Sequence, residues 1–505
     1  MKFSERLAAI TSLNPEHVAL EFGGAEFTWG ALSAAAAKVQ SLLDEAGVPA
    51  AAPVGWMARN VPEAVAAILG VLQGERFVSP LNPHQPPARL IDEIAALRLA
   101  AVAGSPADWA IPGFAEAVAA AGGAGIEIDL ESGSVALRAG LERMGSGPHR
   151  PPAPGYAIER MTSGTTGAPK RFPLRIADLE QGLMAAAPSR EAAKAAAEQQ
   201  IVQMQDTAIL HNPFAHSAGL MGILTALYFG RRVSLHRKFD PSEWAEAVAR
   251  YKPKAAGLVP AMINMVLDAK VPKEKLGSLV AVRSGTAPLD PVRQRAFQAA
   301  YGIPVLIDYG ASEFIGGITG WTLRDYREWG ETKLGSVGRA KPGVSVRIVD
   351  ADSGDQVGPG EVGRLEVKAD RFGPAWVNTT DLASMDQDGF IYIRGRADEA
   401  IIRGGFKILP DKVAEILRLH PAVQDAVVLG VTHERLGQAP IAVIELRAGA
   451  ARPDKIALDA VVREHLPAYF APEAYEFVPT LPRTPSLKIA RPAVKAQFAD
   501  RYAFS

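Results

Sequence analysis

The chain has 505 residues, with 54 Lys and Arg against 55 Asp and Glu and a formal net charge of −1. This length exceeds what one hydrophobic core supports, so two or more domains are expected, and the balanced charge argues against a nucleic-acid binder driven by phosphate neutralisation. The chain has no cysteine, which excludes disulfides, thiolate metal sites and cysteine nucleophiles.

The start, Met1-Lys-Phe-Ser-Glu-Arg6, lacks the apolar core of a signal peptide, and a cytoplasmic location is expected. Phe27–Leu32 leads into an amphipathic run that ends near Gly47. Val54–Met57 reads as a strand, Pro62–Leu72 as a helix and Phe77–Pro80 as a second strand. Such alternation predicts an α/β layered fold with largely parallel sheets. Gly145–Gly155, rich in Pro and Gly, reads as a linker. Thr207–Gly230 carries no Lys, Arg, Asp or Glu. Its Pro213, His211 and His216 favour a buried strand–loop–helix over a membrane span.

The alternation continues with a helix over Trp244–Arg250, a strand over Ala255–Val259, a helix over Pro260–Leu267 and a strand over Val305–Ile307. From Gly360 the texture changes. Arg364–Lys368 alternates with period two, and Asp386–Gly389 is a turn before the strand Phe390–Ile393. Beyond about residue 397 the pattern is that of a small α+β domain: helix Asp411–His420, strands Ala426–Val431 and Ile441–Leu446, helix Asp454–His465. The charged boundary at Arg394–Asp398 is a plausible hinge.

The chemistry concentrates in Met161-Thr-Ser-Gly-Thr-Thr-Gly-Ala-Pro-Lys170. Gly164 and Gly167 let the backbone turn sharply and approach a ligand. Hydroxyls of Ser163, Thr165 and Thr166 stand beside exposed N–H groups, and Lys170 adds a positive charge. That combination suits a polyphosphate. It is not the Walker loop, because Ala168-Pro169 separates the second glycine from the lysine.

This loop resembles the signature of the adenylate-forming superfamily of acyl- and aryl-CoA ligases, luciferases and peptide-synthetase adenylation domains. The other motifs follow in that family's order: His216, Ser284–Leu289, Tyr309–Glu313, Asp381, Arg396–Asp398, Gly404–Gly405 and Lys488. The resemblance implies a large N-terminal domain, 1–395, of layered sheets with a small distorted β-barrel-like part. It also implies a small mobile α+β domain, 396–505. The implied reaction joins a carboxylate to the α-phosphorus of ATP, releases pyrophosphate, then transfers the acyl group to the thiol of CoA.

On this resemblance Thr162–Gly167 and Lys170 cradle phosphates. Gly285, Thr286, Ala287 and Pro288 cover one adenine face, and Asp308, Tyr309, Gly310, Ala311 and Ser312 form the other side, with Tyr309 stacking. Glu313, with Thr165, holds Mg2+, since Mg2+ takes one or two carboxylates plus phosphate oxygens. Asp381 accepts hydrogen bonds from both ribose hydroxyls, with Ile393 and Arg396 nearby. Lys488 is the expected catalytic lysine, with Glu313 and His216 assisting. Asp398 is the hinge, and Gly404, Gly405 and Phe406 line the path of the CoA thiol arm. The chain departs from the family at Thr380 and Leu487, where the family has glycine, at Lys412 and Ala414, where relatives often carry glutamates, and in a shortened segment between Glu361 and Asp381.

Phe214, His216, Gly219, Met221, Gly285, Ile315 and Gly316 are expected to line the acyl pocket. Amino-acid-activating relatives carry an aspartate where this chain has Ala215. An uncharged aliphatic or aromatic acid is therefore expected, not an amino acid. Alternatives are an acyl-AMP ligase that loads a carrier protein and an inactive nucleotide-binding homologue. A homodimer stays open.

Overall fold

A computed structural model describes residues 1–161, 171–310, 317–351, 353–369, 373–404, 406–485, 487–498 and 501–502. The chain forms two compact units: Met1–Lys254 with Val271–Leu279, and Ala255–Lys270 with Val280–Ser505.

The first unit is built on a seven-stranded sheet. Its middle strands, Pro53–Met57, Phe77–Leu81, Ala101–Gly104 and Ala124–Asp129, pair in parallel. The first three are buried at every position, as expected of strands covered on both faces. Helix Pro62–Gln73 is apolar nearly all round and correspondingly buried. Helix Trp29–Glu45 starts where the Thr28 hydroxyl accepts from the Ala31 N–H. At one edge the hairpin Tyr156–Met161 and Arg171–Arg175 pairs antiparallel and brackets residues 162–170. A second sheet orders Thr207–Leu210, Arg232–Leu235, Val18–Phe22 and Ala25–Thr28.

The second unit contains three sheets. In one, Ala255–Gly257, Ala281–Ser284 and Val305–Tyr309 run parallel, and the short strands Thr319–Gly320 and Arg339–Ala340 add antiparallel. Another is antiparallel: Val344–Val349, Gly363–Ala369, Val377–Met385, Ile391–Arg396. The expected barrel-like part is this four-stranded sheet, and among the described residues its end strands do not pair. Four strands are too few to close around a packed interior. The third sheet joins Phe406–Ile408, Ile401–Arg403, Gly437–Leu446 and Val423–His433, with Ala474–Val478 parallel to Gly437–Leu446. Helices Pro410–Leu417 and Lys455–His465 cover it through Val413, Leu417, Leu458 and Val462. The former stops three residues before the expected His420. No helix among the described residues is long and apolar enough to cross a membrane.

Candidate functional site

In the first unit, the hairpin that brackets 162–170 is anchored by charge. Glu159 is 1% exposed. Its Oε2 accepts from Arg171 Nη1 at 2.9 Å and from Ser79 Oγ at 2.8 Å, and Arg150 reaches its other oxygen. Arg171 also donates to the Pro80 carbonyl at 2.9 Å and to Glu93 at 2.5 Å. The backbone ladder here is thin, because Tyr156–Met161 meets Phe77–Leu81 at a single register position, Val78 with Ile158. Arg171 thus ties both hairpin strands to the next strand and to helix Pro87–Leu97. The predicted phosphate residues Thr162, Ser163, Gly164, Thr165, Thr166, Gly167 and Lys170 lie outside the described residues.

The charge-free stretch folds as expected: strand Thr207–Leu210, a turn, then helix Ser217–Tyr228. His216 is the residue before that helix and is half-buried. The turn is held by Asn60, whose side chain is buried. Asn60 Nδ2 donates to the carbonyls of Asn212 and His236, each at 3.1 Å, and Oδ1 accepts from the Phe214 N–H at 2.9 Å. Phe214 is fully buried and stacks on Trp56 at 6.0 Å. Gly219 backs onto the turn, where a Cβ would lie 2.2 Å from the Pro213 carbonyl oxygen. Met221 is half-buried.

In the second unit, Tyr309, Asp381 and Arg396 come together at strand ends. Tyr309 ends the parallel strand Val305–Tyr309, and its hydroxyl donates to Asp381 Oδ2 at 2.5 Å. Asp381 faces Arg396 across neighbouring strands. Arg396 grips Asp398 with two hydrogen bonds, 2.9 and 2.7 Å. This contact raises the guanidinium pKa and holds the Asp398 carboxyl below its ordinary value. Burial pushes the neighbouring Glu399 carboxyl up, against the pull of Arg491 at 3.1 Å. Ile393 is half-buried on the same sheet, packed against its core.

The loop after Ser284 places Thr286 at φ +70°, a left-handed conformation. Ser284 is buried, and its Oγ has no hydrogen-bond partner among the described residues. Gly310 is exposed, while Ala311, Ser312, Glu313, Ile315 and Gly316 lie outside the described residues, so the expected Mg2+ ligands do too. Among the described residues, no group of three or more His, Asp or Glu could hold a metal.

Further along, Gly404 adopts φ +55° and donates to the Leu436 carbonyl at 2.8 Å. Gly405 is outside the described residues. Phe406 is 56% exposed and stacks on Tyr469 at 4.6 Å. Lys488 is half-buried, forms no ion pair among the described residues, and burial lowers its pKa. Its neighbour Leu487 adopts φ +62°. The backbone expected of the family's glycine is therefore kept, with a leucine in it.

Sequence motifs thus brought Tyr309, Asp381, Arg396 and Asp398 together. They did not reveal Asn60, Glu159, Arg171 or Tyr469, whose partners are set by long-range contacts. The available hint was the charged pair Glu159-Arg160 inside the short, mostly buried strand Tyr156–Met161.

The model "AMP-binding enzyme" matches residues 8–372, and "AMP-binding enzyme C-terminal domain" matches 412–488. These give a large N-terminal and a small C-terminal domain. A long-chain-fatty-acid–CoA ligase of Bacillus subtilis (strain 168) is 30% identical over 66% of this chain, and the match spans 60% of that relative's length. An indoleacetate–CoA ligase of Aromatoleum aromaticum is 27% identical over 99% of both chains. The crystal structure of ATP-bound MatB from Rhodopseudomonas palustris shares the fold, with a TM-score of 0.80 and 23% identity over 98% of this chain and 99% of that one. With its two family models covering most of its length in order, the chain belongs to the AMP-binding, adenylate-forming enzymes.

Proposed function

We propose that this protein is an ATP-dependent acyl- or aryl-CoA ligase. It activates a carboxylic acid as an acyl-adenylate with release of pyrophosphate, then transfers the acyl group to the thiol of CoA with release of AMP. The observation that carries this reading is the corner formed by Tyr309, Asp381 and Arg396. A carboxylate beside an aromatic ring and a guanidinium suits a ribose diol next to a stacked base and a phosphate.

Carboxylate and triphosphate are both anions, so the chemistry depends on positioning and on oriented positive charge. Lys488 supplies that charge in the first step, bridging the substrate carboxylate and the α-phosphate as charge develops. Its lowered pKa comes from burial, and a desolvated ammonium acts more strongly on a nearby anion than a hydrated one. Glu313 and Thr165 would hold Mg2+, which would supply charge neutralisation at the phosphates. In the second step the domain 396–505 turns about Asp398. Lys488 withdraws, and Gly404–Phe406 line the path of the thiol arm. His216, Phe214, Gly219 and Met221, with Gly285, Ile315 and Gly316, border the acid.

Apart from its carboxylate the acid is uncharged, aliphatic or aromatic, and not an amino acid. Ala215 supports this, since it offers no carboxylate to an α-ammonium group. The names of the relatives span both classes, a long-chain fatty acid and indoleacetate. The test is AMP formation from ATP and Mg2+ across a panel of aliphatic and aromatic acids, with and without CoA. CoA-dependent turnover with one class establishes the ligase. Pyrophosphate release limited to one equivalent per enzyme, whatever the CoA, redirects the second step to a carrier protein. No pyrophosphate release with any acid overturns the reading.

A further inference from the structure

Asp308 precedes Tyr309 and was expected to touch the nucleotide. Its carboxylate is engaged on both sides. Oδ1 lies 2.8 Å from Lys341 Nζ, and Oδ2 accepts from Arg283 Nη1 at 2.8 Å. Arg283 sits one residue before Ser284, on the strand that feeds the Gly285–Leu289 loop. Lys341 follows the short strand Arg339–Ala340. One carboxylate therefore links three chain segments around the ends of the parallel strands.

The backbone at this residue is equally crowded. A Cβ on Gly285 would lie 2.7 Å from the Asp308 carbonyl oxygen, and one on Gly320 would lie 2.3 Å from Asp308 Oδ1. Gly320 is the register partner of Asp308. Only glycine fits at either place without displacing Asp308. The loop that departs from Gly285 then carries Thr286 in its left-handed conformation. Beside it the buried Ser284 Oγ lacks a partner among the described residues, and a buried unsatisfied hydroxyl calls for a ligand or water.

We infer that Asp308 is a positioning residue for nucleotide binding. Through Arg283 and Lys341 it fixes the spacing between the Gly285–Leu289 loop and Tyr309, the two walls of a slot that takes the adenine of ATP. The inference rests on the function proposed above. Stability alone does not account for the arrangement. The side chains of Arg283, Asp308 and Lys341 are 52%, 24% and 36% exposed, and ion pairs this open contribute about 0–1 kcal/mol each. What they fix is geometry.

The test uses the full chain and MgATP without any acid, read by calorimetry, beside thermal melting. Asp308→Asn should keep the melting temperature within a few degrees, weaken MgATP binding by about 10-fold or more, as small misplacements do, and leave MgGTP binding unchanged, so that selectivity for adenine falls. Lys341→Met removes one arm without altering Asp308 and should give a smaller loss of the same kind. A merely structural role would lower the melting temperature and leave the affinity of the folded protein intact. Both variants binding MgATP within about twofold of the parent chain would overturn the inference, since that is below the loss expected from misplacement. A parent chain that does not bind MgATP would overturn the functional reading itself, and this inference with it.

Discussion

Two regions of this molecule hold charge in opposite ways. At the hairpin that brackets 162–170, Glu159 is 1% exposed between two arginines. At the corner that gathers Tyr309 and Asp381, Arg396 and Asp398 pair with 34% and 47% of their side chains exposed. Removing one partner of a buried pair strands a desolvated charge, whereas an exposed pair is re-solvated at little cost. The first region thus commits its charges to holding the fold. The second leaves them open to solvent, as the proposed ligand contact and hinge would require.

The sharpest way to break this contrast is Glu159→Ala. It leaves Arg171 and Arg150 without their shared carboxylate and should destabilise the protein by roughly 3–5 kcal/mol. Arg396→Ala should cost under about 1 kcal/mol while still impairing turnover. Urea melts of both variants check the pair. Equal losses of stability would remove the distinction between the two regions.

Next in size is Lys488→Ala, which should cost at least ~100-fold in acyl-adenylate formation, of the order of a lost transition-state donor. Thioester formation from preformed acyl-AMP should suffer much less. Equal damage to both half-reactions would remove Lys488 from this role. The same lysine predicts a pH limb. Burial lowers its pKa from 10.5, so the cationic form is lost as pH rises through a value below 10.5. Adenylation should fall on the alkaline side there, and Lys488→Arg, always charged, should erase that limb. The sign for stability is opposite: the unfolded chain binds the extra proton, so this group's penalty is relieved as pH rises towards 10.5.

Asp398→Pro restricts the residue about which 396–505 is proposed to turn. It also removes the carboxylate that Arg396 holds. Thioester formation should drop more than adenylation, because only the second step needs the rotation. A variant with both steps intact would dissociate the hinge from this position.

The sequence made the strands and helices legible because their apolar periods are clear, as in Pro62–Gln73 and Val305–Tyr309. The family resemblance also singled out Tyr309, Asp381 and Arg396, which the structure brings side by side, and Lys488. Asn60 and Glu159 were not legible. Each acts on backbone or charge far away in the chain, as Asn60 does on Phe214, and no local period encodes such a contact. The barrel-like part was implied by the resemblance, while the strands Arg364–Lys368 and Phe390–Ile393 were read locally; in the structure they belong to a four-stranded sheet without closure.

Leu487 gives the smallest and most local test, of how the turn before Lys488 trades stability for geometry. Its φ of +62° places a branched side chain in the left-handed region, where a non-glycine residue costs on the order of 1–3 kcal/mol. The leucine is half-buried, so packing offsets part of that strain. The backbone here also fixes where Lys488 begins, through the Leu487 N–H to the Thr484 carbonyl at 2.8 Å and the Lys488 N–H to Thr484 Oγ at 3.2 Å. Leu487→Gly should therefore change stability by about 1 kcal/mol or less, because relieved strain is set against lost packing and a freer unfolded chain. Adenylation should stay within about twofold, since glycine occupies that φ without strain. Leu487→Ala separates the two terms, since it keeps the strain and removes the packing, and it should be the less stable of the two variants. If Leu487→Gly proves the less stable instead, then the left-handed backbone is held by the loop around it at little local cost. The strain would then contribute nothing to where the lysine starts.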